Sequence, residues 1–107
     1  MPAYILVNVT IHDQERFAAY GSVTAALVER FGGRYIVLGG AREVLEGTWP
    51  EGRTVLLEWP TRALALAFWH SPDYAVVQQM RAGISEANVV LVDGLPSTVG
   101  AALPWVQ

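Results

Sequence analysis

Glu58 stands between Leu57 and Trp59 in a stretch that is otherwise apolar. Desolvation in such a setting lifts a carboxyl group's pKa toward neutrality and equips it as a general acid or base. The competing reading is an ion pair with an Arg or a solvated strand position, since ion pairs also perturb pKa values. His70 is the one histidine expected within a helix and directly precedes Ser71-Pro72. An imidazole there can move protons or ligate a metal or haem iron, and it also suits the negative end of a helix. With His12 as its sole companion there is no H-x-x-x-H spacing, so no metal site is expected. Asn8 interrupts the first apolar stretch and can hydrogen-bond a ligand carbonyl or carboxylate. A buried amide left unpaired costs about 1–3 kcal/mol, so a ligand or another protein group must answer it. Tyr35 can turn its hydroxyl to the same cavity or simply pack, and Trp59, Trp69 and Phe68 can stack a flat ligand or build core and interface. The expected site therefore has Glu58 and His70 as catalytic groups and Asn8, Tyr35, Trp59 and Trp69 as substrate contacts.

Other chemistries lack their residues. Neither Gly32-Gly33 nor Gly39-Gly40 belongs to a G-x-G-x-x-G or G-x-x-x-x-G-K pattern, and the chain has no Lys to reach a phosphate. Ser22, Ser71, Ser85 and Ser97 have no G-x-S-x-G context, which leaves a hydrolase triad unsupported. The absence of Cys removes thiol nucleophiles, thiolate metal sites and disulfides, in keeping with a reducing compartment.

The elements that must position these groups follow from periodicity and punctuation. Ile5, Val7 and Val9 alternate with Tyr4, Leu6, Asn8 and Thr10, which predicts a strand over 3–10 with one apolar and one mixed face. Asp13 is a suitable cap, and Phe17, Tyr20, Leu27 and Phe31 recur at helical spacing, so a helix is expected over 14–31, closed by Gly32-Gly33. Residues 34–38 read as a second strand, and Gly39-Gly40 as a bulge or bend. Residues 41–46 read as a continuation of the extended chain, 47–52 as a turn or loop, and 53–59 as a third strand. Thr61 caps a second helix over 62–70, broken by Pro72. Ser71 and Pro72 then open a further helix, with Tyr74, Val77 and Ile84 on its apolar stripe and its end near Gly83. Residues 88–92 form the last strand, and 95–107 are a tail containing Pro96, Gly100 and Pro104.

Strand, helix, strand, strand, helix, strand with right-handed crossovers is the ferredoxin-like α+β order, an antiparallel sheet with helices on one face, here expected as a single domain over 1–94. The other face, with Tyr4, Leu6 and Asn8, is too apolar to be left in water, and Leu64, Leu66, Phe68 and Trp69 make the second helix apolar nearly all round. A second copy of the chain is the simplest cover. The tail, with Leu103, Pro104 and Trp105, is expected to pack on the domain or on that partner.

Several segments resemble the uncharacterised DUF-thirteen-thirty family. In the first half they are Phe31-Gly32-Gly33-Arg34-Tyr35, Gly39-Gly40, Val44-Leu45-Glu46-Gly47 and Trp49-Pro50. In the second half Glu58-Trp59-Pro60-Thr61, Ala67-Phe68-Trp69 and Ser71-Pro72-Asp73-Tyr74 match, with Arg81 and Val92-Asp93-Gly94 closing the resemblance. The chain departs from the pattern at Trp59, where Phe is usual, at His70, where Asp or Asn is common, and in the tail. The resemblance implies the dimeric α+β barrel group, in which two ferredoxin-like subunits pair their sheets and enclose pockets. That group holds cofactor-free monooxygenases, lactone isomerases, haem enzymes and ligand sensors, so fold alone does not choose among them.

Composition narrows the partners. The chain has 107 residues, 52% hydrophobic and 16% charged, which excludes disorder and fits one domain. Seven Arg face ten carboxylates for a net charge of −3, against phosphate-tracking nucleic-acid binding. Residues 63–69, the longest apolar run, are far short of a bilayer span, and Met1-Pro2-Ala3-Tyr4 carries no basic leader region, so a cytoplasmic protein without membrane or nucleic-acid partners is expected. Two functions fit: a cofactor-free small-molecule enzyme with acid/base chemistry in a pocket between sheet and helices, or a non-catalytic module, for stress response or otherwise, that binds a small apolar ligand.

Overall fold

The computed structural model describes residues 1–95. Its strands are β1 (Ala3–Ile11), β2 (Arg34–Leu38), β3 (Arg53–Trp59) and β4 (Ser85–Asp93), and its helices are α1 (Gln14–Arg30), α2 (Arg62–Trp69) and α3 (Pro72–Gln78), the last continued by a 3-10 turn over Gln79–Arg81. Each helix begins where its sequence supplies an acceptor for a free N–H. Asp13 accepts from the Arg16 amide at 3.1 Å, Thr61 from Leu64 at 3.2 Å and Ser71 from Tyr74 at 3.0 Å. No helix among the described residues is long and apolar enough to cross a membrane.

The strands form one antiparallel sheet in the order β2-β3-β1-β4. All helices lie on one face, completing the ferredoxin-like βαββαβ arrangement, and the strand alternation sorts side chains between the two faces. Ala3, Ile5, Leu57 and Trp59 are buried toward the helices, where they meet Leu27, Val28, Ala65, Phe68 and Tyr74. Phe68 is the hub: its ring centroid lies 5.2 Å from that of Trp59, 4.6 Å from Tyr74 and 6.2 Å from Phe31. Gly33 packs flat on the Trp59 indole, leaving no room there for a Cβ.

Several details differ from the sequence expectation. β4 begins at Ser85 rather than Asn88, because its ladder with β1 continues through Thr10 opposite Glu86 and Ile11 opposite Ser85. Residues 41–46 join no strand, and besides the expected bend at Gly39, with φ of +66°, the sheet has an irregularity at Tyr35/Val37 inside β2. Ile84 lies past the end of α3 yet is buried, its carbonyl accepting from the His12 amide at 2.8 Å. The expected packing of Leu103, Pro104 and Trp105 falls outside the described residues.

Candidate functional site

A cavity of about 100 Å³ opens between the sheet and the helices. Val7, Val9 and Val55 floor it from the strands, while Phe17, Phe68 and Trp69 wall it from the helices. At Gly21, in the middle of α1 and on the cavity wall, an added Cβ would meet nothing within 4 Å. Glycine inside a helix costs about 1 kcal/mol relative to alanine, and here its missing side chain leaves the cavity open.

The polar groups on this otherwise apolar lining come from four separate stretches: α1, β2, α3 and the 3-10 turn after it. Tyr20 of α1 and Tyr74 of α3 share a buried hydroxyl-to-hydroxyl hydrogen bond of 2.7 Å. The guanidinium of Arg81 lies over the Tyr20 ring, 5.8 Å from its centroid, and it is the one charged side chain among the described lining residues. Burial pushes the Tyr74 phenol well above its ordinary range, Tyr20 adds to the rise, and Arg81 opposes it. Burial, with a smaller contribution from Tyr20, likewise pushes the Tyr35 phenol up to about 12. Both phenols are neutral hydrogen-bonding groups at physiological pH. Thr24 adds a buried hydroxyl with no hydrogen-bond partner among the described residues.

The expected site residues separate. Tyr35 and Trp69 line this cavity. Trp69 also borders an adjoining pocket of about 230 Å³ that includes His70 and Leu66. Trp59 is wholly buried beneath Phe68 and Gly33 and lines none of the described pockets, so the structure makes it core rather than a ligand contact. Asn8 points to the opposite, helix-free face. Its amide donates to the Glu51 carbonyl at 2.6 Å and its side-chain oxygen accepts from Arg42 at 3.2 Å, while Arg42 also donates to the Pro50 carbonyl at 2.9 Å. Both ends of the amide are thus answered by protein groups that clasp the 39–52 segment to the sheet.

Glu58 also faces away from the helices, opposite Tyr4 in the β1–β3 register. Arg34 donates to its Oε1 from Nε at 2.8 Å and from Nη2 at 2.7 Å, and the Tyr4 hydroxyl donates to Oε2 at 2.9 Å. These bonds, Arg34 first and Tyr4 second, outweigh partial desolvation and hold the carboxyl below its ordinary pKa. The expected raised, cavity-facing carboxyl is therefore replaced by a lowered, ion-paired one. Since the folded pKa lies below the usual 4.5, the pair's stabilisation is present above about that pH and is lost as pH falls through the depressed value. In Arg34→Met, the Glu58 titration followed by NMR should move to higher pH. An unchanged midpoint would mean Arg34 does not hold the carboxylate.

Tyr20, Tyr74 and Arg81 were not among the expected site residues. The available signals were a hydroxyl-bearing aromatic on the apolar stripes of α1 and α3 and a lone charge in the otherwise uncharged stretch 75–85.

A four-stranded antiparallel sheet backed by helices on one face, with a pocket between the layers, defines a ferredoxin-like α+β protein. The chain belongs to the family described as domain of unknown function DUF1330, whose model matches residues 2–95. It is similar in structure to a protein of unknown function from Rhodopseudomonas palustris, at 21% identity and TM-score 0.72, covering 89% of this chain and 83% of that one. It is also similar to SnoaB, a cofactor-independent oxygenase from Streptomyces nogalater, at 14% identity and TM-score 0.59, covering 91% and 96% of the two chains. No curated protein matches the sequence.

Proposed function

We propose that the protein is a cytoplasmic small-ligand-binding module whose ligand occupies the cavity between sheet and helices, touching Tyr35 and Trp69. One observation carries this reading: the cavity is lined almost wholly by apolar side chains, and no carboxylate of the described residues reaches it. Glu58, the residue best suited by sequence to acid/base work, is spent on Arg34 and Tyr4 on the other face of the sheet. The test uses toluene as a neutral apolar probe and Gly21→Leu to fill the cavity. Toluene near saturation should raise the melting temperature of the parent protein, and Gly21→Leu should remain folded while losing most of that shift. No shift in the parent, or an equal shift in Gly21→Leu, would overturn the assignment.

The enzymatic reading rests on His70, which lines the adjoining pocket beside Trp69, and on the similarity of fold to a cofactor-independent oxygenase. In that reading His70 supplies proton transfer and no cofactor is bound.

Pairing of two chains belongs to the same proposal. The helix-free face is apolar in its middle, at Leu6, Leu56, Val90 and Val92, with the last two about half exposed. Beside it the 39–52 segment presents Val44, Leu45 and Trp49. A second copy of the chain covers this surface as the resemblance to dimeric α+β barrels implies. Sedimentation at micromolar concentration is expected to give twice the 11.7 kDa chain mass, and a clean monomer would remove the pairing.

A further inference from the structure

Arg81 is the least explained charge in the molecule. Four ion pairs are formed among the described residues, by His12, Arg30, Arg34 and Arg62, and none involves Arg81. Yet Arg81 is half-buried, with its guanidinium held over Tyr20 at the wall of the cavity. A cation partly withdrawn from water without a counter-charge is costly, and a bound anion relieves that cost. The groups around it are all suited to an anion as well. In the Tyr20–Tyr74 pair one phenolic proton is spent between the two oxygens, which leaves the other free to donate. The buried Thr24 hydroxyl on the same wall has no partner of its own.

Resting on the ligand-binding reading above, we propose that the cavity takes a small apolar carboxylic acid, with its carboxylate on Arg81 and the Tyr20–Tyr74 hydroxyl pair and its hydrocarbon part against Val7, Val55 and Phe17. The planar guanidinium fork matches a carboxylate in geometry, and a single positive charge matches a single negative one. A phosphate dianion would call for further cations or a backbone N–H nest, and the described lining offers neither. A neutral ligand would leave Arg81 with the Tyr20 and Tyr74 phenols as partners but no counter-charge among the described residues. Size sets the other limit. The cavity is open at its mouth and, at about 100 Å³, smaller than the roughly 150 Å³ enclosed cavity that holds benzene, so the acid carries no more than one small ring, seated partly in the mouth, or a short branched chain.

The experiment compares benzoate with its neutral counterpart benzamide at pH 7 by calorimetric titration, in the parent, Arg81→Gln, Arg81→Lys and Tyr74→Phe. Benzoate should bind at least tenfold more tightly than benzamide in the parent. Arg81→Gln should abolish that preference while leaving benzamide affinity within twofold, and Tyr74→Phe should weaken benzoate severalfold. Arg81→Lys, which keeps the charge without the fork, should retain a reduced preference, and it decides the matter if Arg81→Gln does not fold. Equal binding of benzoate and benzamide in the parent, or a preference that survives Arg81→Gln, would overturn the acid assignment and leave the cavity as a binding site for neutral ligands. Failure of both compounds, together with toluene, would overturn the binding site itself.

Discussion

Phe68→Ala is expected to cost about 3–5 kcal/mol of folding stability, the range for removing a large aromatic from a packed interior. Phe68 is 3% exposed, and its ring joins three aromatic neighbours from different parts of the chain: Phe31 at the end of α1, Trp59 at the end of β3 and Tyr74 in α3. Deleting it removes contacts to all three at once. The space left merges with the adjacent cavity, of which Phe68 is already a wall, so neighbouring side chains cannot close it by a small collapse. Urea denaturation should show a lower midpoint with little change in slope. Val76→Ala, at a position 72% exposed, should stay within about 0.5 kcal/mol of the parent. A loss below about 1 kcal/mol for Phe68→Ala would show that the aromatic cluster does not anchor the helices to the sheet.

Gly52→Ala is expected to be nearly as damaging, for a backbone reason. Gly52 has φ of +110°, and a Cβ built there would lie 2.5 Å from the Val9 carbonyl oxygen. The conformation alone costs a non-glycine residue about 1–3 kcal/mol, and the obstructing atom belongs to the central strand, which cannot swing aside as a side chain would. A total of about 3 kcal/mol or more is expected, read as a drop in denaturation midpoint. Gly40→Ala is the control: its φ is not positive and its Cβ meets nothing within 4 Å, so it should be close to neutral. Comparable losses at the two glycines would argue against the close approach of Gly52 to β1.

The architecture was largely legible because the punctuation is strong. Gly32-Gly33 and Pro60-Thr61 bracket β2 and β3, whose limits were anticipated to the residue, and three capping side chains sit where the helices begin. β4 was read short because Ser85-Glu86-Ala87 carries no apolar alternation, and only pairing with β1 makes it strand. Glu58 shows the same limit in the site. Alternation along β3 puts it on one face with Leu56, but its environment depends on which residue stands opposite, and that is set by the β2–β3 register and its irregularity. Arg34 reaches Glu58 across a separation of 24 residues. Tyr20 and Tyr74 are 54 residues apart, and each reads locally as one more aromatic on an apolar stripe. Their shared hydrogen bond exists only once α1 and α3 are packed together.

The Asn8 clasp bears on more than its own hydrogen bonds. By tying the Glu51 carbonyl and Arg42 to the central strand, and through Arg42 the Pro50 carbonyl, it settles the course of the 39–52 segment within the folded chain itself. A segment without strand or helix would otherwise be restrained only when something came to rest on it, at a loss of about 0.5–1.5 kcal/mol for each side chain immobilised, besides the backbone. Held in advance, the backbone that carries Val44, Leu45 and Trp49 has its course decided before any encounter, so the backbone share of that loss is spared while the exposed side chains keep theirs. In Asn8→Ala the same side chains would remain while their arrangement loosened, so a loss in the proposed pairing of two chains would be entropic rather than a loss of contact area.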